Sequence, residues 1–208
     1  METCYEKRGN DNVVFIDENM RNRALDFAKR IILSGNQYSR LLPNEVRNSD
    51  DVSLQQKIEI QRTYIGKLGE MAFLKLLQET GKEVNDNGMF EVFEGQENVD
   101  SFDFVTLAGD TVDVKTGFRK IHKRLLVNTE QFDRIPKDYY VAVKVDAVDM
   151  DSRQKLVDWD HISTARIVGY ADYAYMKNHA GVRDFGEGYA RWLYYNELLG
   201  IDRLLREF

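Results

Sequence analysis

Apolar positions at helical spacing fill the first 80 residues of the chain and then give way to alternation. Ala24, Leu25, Ala28, Ile31 and Ile32 recur on one helix face. They predict a helix from about Glu18 to Leu33, capped by Asp17 and ended by Ser34-Gly35-Asn36. Ile58, Ile65, Leu68, Ala72, Leu76 and Leu77 predict a second helix over about 53–80, stopped by Gly81. Gly66 and Gly69 interrupt it, at about 1 kcal/mol each relative to alanine, which points to a close backbone approach or a local break. Residues 1–16 read as a polar arm ending in Val13-Val14-Phe15-Ile16, and residues 36–52, with Pro43, read as a loop.

Beyond Gly81 the period falls to two. Strands are predicted at Met89–Phe93, Phe102–Leu107 and Thr111–Thr116, the last two joined by an Ala108-Gly109-Asp110 turn. Leu125–Val127 reads as a short strand, Thr129–Arg134 as a helical turn, and Tyr139–Val145 as a buried central strand. The remainder reads as a strand at Ala165–Tyr170, a helix at Asp172–Lys177, a loop from Gly181 to Gly188, a strand at Tyr189–Tyr195 and a closing helix at Asn196–Glu207. The order of elements predicts an α/β (α+β) fold in which a helical N-terminal extension, residues 1–56, precedes a main unit, residues 57–208.

Composition narrows the classes. At 208 residues, 43% hydrophobic and 31% charged, the chain is expected to fold as a globular protein rather than stay disordered. Its longest apolar runs, such as Ile31-Ile32-Leu33, are too short to span a membrane, and its first residues lack the apolar core of a secretory leader. One cysteine, Cys4, gives neither an internal disulfide nor a cysteine-rich zinc site, so a reducing, cytoplasmic setting is expected. No Walker or Rossmann glycine pattern is present, and His122, His161 and His179 lack metal-ligand spacing. The net charge of −6 argues against a nonspecific polyanion binder. Residues 115–144 depart from that average, with eight basic residues against three acidic ones. A confined basic face of this kind suits nucleic acid held in a groove.

The candidate chemistry lies in Asp113-Val114-Lys115. On a strand, Asp113 and Lys115 share one face while Val112 and Val114 face the other. Hairpin pairing would bring Asp103 beside Asp113. Two carboxylates that close repel, a divalent cation relieves the repulsion, and hard oxygen ligands favour Mg²⁺, with Mn²⁺ as a substitute, over zinc. The triplet alone is expected by chance in a chain with 35 acidic residues, and a salt-bridged hairpin is the plain alternative. The weight comes from its place on a strand, the second aspartate before it, and the helix bearing Gly66-Lys67-Leu68-Gly69-Glu70.

The series Glu70, Asp103 and Asp113-Val114-Lys115 resembles the PD-(D/E)xK nuclease superfamily over roughly residues 57–145. Ser101-Phe102 precedes Asp103 where the superfamily's name has proline. The resemblance implies a restriction-endonuclease-like core, a mixed central β-sheet flanked by helices. It implies that Asp103, Asp113 and the Val114 carbonyl bind Mg²⁺, that Glu70 completes the site directly or through water, and that Lys115 orients the attacking water or stabilises charge on the phosphate. Gln131 is a possible auxiliary contact, though a surface glutamine is the simpler reading. The exonuclease-type Gln-x-x-x-Tyr spacing is not met because Ile135 stands in the tyrosine's place, which favours an endonuclease. Arg119, Lys120, Lys123 and Arg124 follow the active strand and are candidates for DNA phosphate contacts. The expectation is a metal-dependent deoxyribonuclease, restriction-type or structure-specific, acting as a homodimer where both strands are cut. The alternative is a non-catalytic nucleic-acid-binding or assembly protein that keeps the fold.

Overall fold

The change of period at Gly81 marks a change of layer in the computed structural model, which describes residues 5–9, 11–33, 42–84, 88–91, 103–151 and 155–208. The chain opens with β1 (Tyr5–Arg8) and β2 (Asp11–Phe15), then α1 (Glu18–Leu33), the short α2 (Asn44–Arg47) and α3 (Val52–Glu79). Strands β3 (Phe104–Val105), β4 (Thr111–Gly117) and β5 (Arg124–Asn128) follow, then α4 (Thr129–Arg134) and β6 (Tyr139–Val145). The hairpin β7 (Val148–Asp151) and β8 (Leu156–Asp158) precedes β9 (Thr164–Asp172), α5 (Tyr173–His179), β10 (Gly181–Asp184), β11 (Tyr189–Tyr194) and α6 (Ile201–Leu204).

The main sheet has six strands in the order β1-β2-β9-β6-β4-β3. Only β4 and β6 run parallel, with Asp113 opposite Tyr140 and Lys115 opposite Ala142, so the sheet is mixed. Helices α1, α3 and α6 cover one face, where Val112, Val114, Val141 and Val143 meet Leu68, Ala72, Phe73 and Leu204. Helix α3 is buried nearly all round because α1 lies on one side of it and the sheet on the other. The opposite face carries a second core, where Tyr140 and Ala142 meet Leu125, Val127, Phe132 and Leu193. That core is roofed by a three-stranded sheet, β10-β11-β5. Among the described residues no helix is long and apolar enough to cross a membrane.

Several expected elements take another form. The described part of the polar arm is a hairpin whose β2 pairs with β9, placing Val13, Val14 and Ile16 in the core. The strand expected at Met89–Phe93 is a turn over 88–90, and residues 92 and 93 lie outside the described residues. Of Phe102–Leu107, only Phe104–Val105 is strand. Phe102 lies outside the described residues, and Leu107 is 82% exposed. The Gly181–Gly188 loop begins as β10. The closing helix is broken, because Leu199 exchanges backbone hydrogen bonds of 2.8 and 3.0 Å with Tyr170 and so adds an extended step to the sheet. Cys4, residues 36–41 of the expected loop and Ser34-Gly35-Asn36 also lie outside the described residues.

Candidate active site

Strand β4 is the base of the site. Phe104 pairs with Val112, and just before it the Asp103 N–H donates to the Val112 carbonyl at 2.9 Å. The Asp103 carboxylate Oδ2 accepts the Val114 N–H at 2.6 Å. Alternation puts the Val114 carbonyl on that same edge of β4, since Asp113 and Lys115 turn their backbone groups toward β6.

On the face of β4 away from α3, Lys115 Nζ lies 2.6 Å from Asp113 Oδ2 and donates to Gln131 Oε1 at 3.2 Å. Gln131 is half-buried on α4, whose N-terminus is capped by the Asn128 side chain. The glutamine read as a surface residue is therefore a positioning partner of Lys115. Asp113 is 7% exposed, and its Oδ2 makes no hydrogen bond of good geometry besides the ion pair.

Glu70 arrives from the other side. The helix can bring it in because Gly69 has no side chain: a Cβ there would stand 2.0 Å from Thr116 Oγ1 on β4. Glu70 is held by an ion pair with Lys67, one helical turn back. Lys67 is buried, donates to the Met89 carbonyl at 2.8 Å and stands 4.5 Å above the Phe27 ring centre.

The electrostatics tie the three carboxylates together. Asp103 has its pKa raised well above the usual aspartate range, first by desolvation, then by repulsion from Glu70 and Asp113. The residue as a whole keeps some exposure, so it is the carboxyl group itself that is shut away. A second lysine belongs to this field. Lys137, only 5% exposed, has its pKa lowered mainly by burial and further by Lys115, against the opposing pull of Asp113 and Asp103. The basic content of the segment was visible in the sequence, but nothing in its periodicity marked Lys137.

Among the described residues no three metal-binding side chains are already drawn to one point. Each carboxylate is turned to an internal partner: Glu70 to Lys67, Asp113 to Lys115, Asp103 to a backbone N–H. The donor chemistry nonetheless fits a hard cation, with the Glu70 and Asp113 charges raising the Asp103 pKa and a buried Asp113 oxygen short of donors.

The four basic candidates separate. Lys120 and Lys123 are exposed on the loop after β4. Arg119, a candidate for phosphate contact, is instead turned inward, where its Nε donates to Asp149 at 2.9 Å and its carbonyl accepts from Lys144 at 2.7 Å. Arg124, on β5, lies among the aromatic rings of Trp192 and Tyr194 on β11. A further basic pocket of about 510 Å³ is formed by Arg23, Asp26, Lys29 and Arg30 around Phe90, whose ring also faces Lys67. No family model matches the chain, and no curated protein or solved structure does so either.

Proposed function

We propose that this chain is a Mg²⁺-dependent DNA endonuclease of the PD-(D/E)xK type. The observation that carries the reading is that Asp103 accepts the Val114 N–H between the ion-paired Asp113 and Lys115 on β4, with Glu70 close enough to raise the Asp103 pKa. Asp103, Asp113 and the Val114 carbonyl would hold the ion, with Glu70 completing the set. The ion would lower the pKa of neighbouring water and neutralise charge growing on the phosphate oxygens. Lys115 supplies a fixed ammonium beside the carboxylates, to orient the attacking water or to donate to a phosphate oxygen, and Gln131 limits its rotation. As the water oxygen bonds to phosphorus, the bond from phosphorus to the leaving sugar oxygen breaks in line with it. Lys120, Lys123 and the Arg23–Arg30 pocket offer cations for the flanking phosphates. Cutting both strands of a duplex would require two copies of the chain, as in a homodimer.

The internal pairing of Glu70 and Asp113 with lysines favours one rival, a nucleic-acid-binding or assembly protein that does not cut. Nicking of supercoiled plasmid separates the two. The wild type is expected to nick with Mg²⁺ or Mn²⁺ and not with Ca²⁺. Asp113→Ala is expected to abolish the activity, and Lys115→Ala to lower it about 100-fold or more. Equal cutting by all three proteins refutes the assignment, and retained DNA binding without cutting by the wild type selects the rival.

A further inference from the structure

The three-stranded sheet has two unlike faces. Leu125, Val127 and Leu193 point inward to the second core. Alternation sends Arg124, Leu126, Trp192 and Tyr194 to the outer face, where the register sets Trp192 opposite Leu126 and Tyr194 opposite Arg124. On this side Leu126 is 37% exposed and Tyr194 40%, and Phe185, just past β10, is 36% exposed. The Trp192 and Tyr194 rings meet edge to face at 5.0 Å. The Arg124 guanidinium stands 4.6 Å from the Tyr194 ring centre, 5.0 Å from Trp192 and 5.7 Å from Phe185, and donates to the Tyr194 hydroxyl at 3.0 Å. A Cβ at Gly181 would come within 2.8 Å of the Trp192 indole, so the indole lies across β10 only because glycine is there.

The arginines on this face lack a carboxylate partner among the described residues. Arg183 also stands over Phe185, with its guanidinium 5.7 Å from the ring centre. The nearby acids are engaged elsewhere. Asp184 accepts the Gly186 and Gly188 N–H groups at 2.7 and 3.2 Å, Glu187 is gripped by Arg62, and Glu197 accepts the Tyr194 N–H at 2.6 Å. Among the described residues no carboxylate pairs with Arg124 or Arg183.

We infer that this face is a stacking platform for the unpaired bases of a single-stranded nucleic acid. Each nucleotide brings a flat π-surface and a negative phosphate, which match clustered rings and free guanidinium groups. A duplex keeps its base faces to itself. A second copy of this chain, docked through the same face about a two-fold axis, would set arginine against arginine. The platform is joined to the candidate active site through the chain, since β5 runs directly into α4, whose Gln131 holds Lys115. Binding at the platform stands without the nuclease reading. Its consequence rests on that reading: the enzyme would prefer DNA with an unpaired arm over plain duplex.

The test is binding of a thymidine oligomer of about a dozen nucleotides, measured by fluorescence anisotropy with EDTA present. The chain has two tryptophans, so Trp159→Phe isolates the emission of Trp192. The expected result is quenching of Trp192 and about tenfold weaker binding for an abasic strand of equal length, for Tyr194→Leu and for Phe185→Ala, with unchanged melting. Equal affinity for the abasic strand overturns the inference, as does unchanged affinity of both variants. So does a dimer that dissociates on Phe185→Ala, which would make the face a protein contact. Plasmid nicking on the same preparations separates the two claims. Oligomer binding without nicking leaves the platform and removes the nuclease, and nicking without oligomer binding does the reverse.

Discussion

At Gly69 the absence of one methyl group decides how near Glu70 comes to β4. Gly69→Ala is expected to destabilise by about 1–3 kcal/mol, the usual penalty for an atom forced into a filled site. Adding Thr116→Ala should recover much of the loss, because it removes the Oγ1 that the new Cβ would strike at 2.0 Å. Urea unfolding of the single and double variants measures both effects. His122 gives a second residue-scale expectation. Its Nδ1 accepts the Phe118 and Arg119 N–H groups, and burial beside Lys144 and Arg119 pushes its pKa down to about 4 from the ordinary 6.5. As the pH falls through 6.5, the unfolded chain takes up the proton before the folded chain does. The contribution is therefore complete above pH 6.5 and is lost toward pH 4, amounting to about 3 kcal/mol at most. Thermal melts at pH 7, 6, 5 and 4 should show the wild type losing stability faster than His122→Gln across this window. The positions of Asp113 and Lys115 on one face were legible, because alternation alone separates them from Val112 and Val114. Gln131 was raised but read more simply as a surface glutamine, and Lys137 was not legible. They reach Lys115 and the aspartates through α4 and the turn after it, a closeness in space that no spacing in the sequence encodes.

At the scale of elements, strength of pattern decided what could be read. Helices α1 and α3 and strands β4 and β6 carry unbroken apolar periods, and the structure starts or ends them within a residue or so of the expected bounds. Strands β1 and β10 had no such signal. Tyr5-Glu6-Lys7-Arg8 and Gly181-Val182-Arg183-Asp184 are short, charged edge strands, whose composition discourages pairing with other chains and hides them from an apolar pattern. The C-terminal segment has helical composition, but pairing of Leu199 with Tyr170 overrides it. Helix α3 is capped by Asp51, whose side chain accepts the Leu54 N–H at 2.9 Å. Asp51→Ala is expected to reduce stability by about 1 kcal/mol, and Asp51→Asn to restore most of it, in chemical denaturation.

Across the whole molecule, one sheet joins the two ends of the chain. β2 closes the edge of β9, and Val13, Val14 and Ile16 are at most 4% exposed. Deleting residues 1–16 would uncover that edge and remove three core side chains, each worth about 1.5–3 kcal/mol. The sum is comparable with the whole net stability of a typical domain, about 5–15 kcal/mol. The shortened chain is expected to aggregate and to lose its cooperative thermal transition.

Lys67 and Lys115 serve as built-in counter-ions to the acidic cluster. A centre that balances its own charge keeps its shape with no metal at all. Stripping divalent cations should thus leave the melting temperature where it was while silencing any cutting. On the proposed reading an arriving ion would displace ammonium groups rather than fill a vacuum, so its affinity should rise when Lys67 is replaced by methionine.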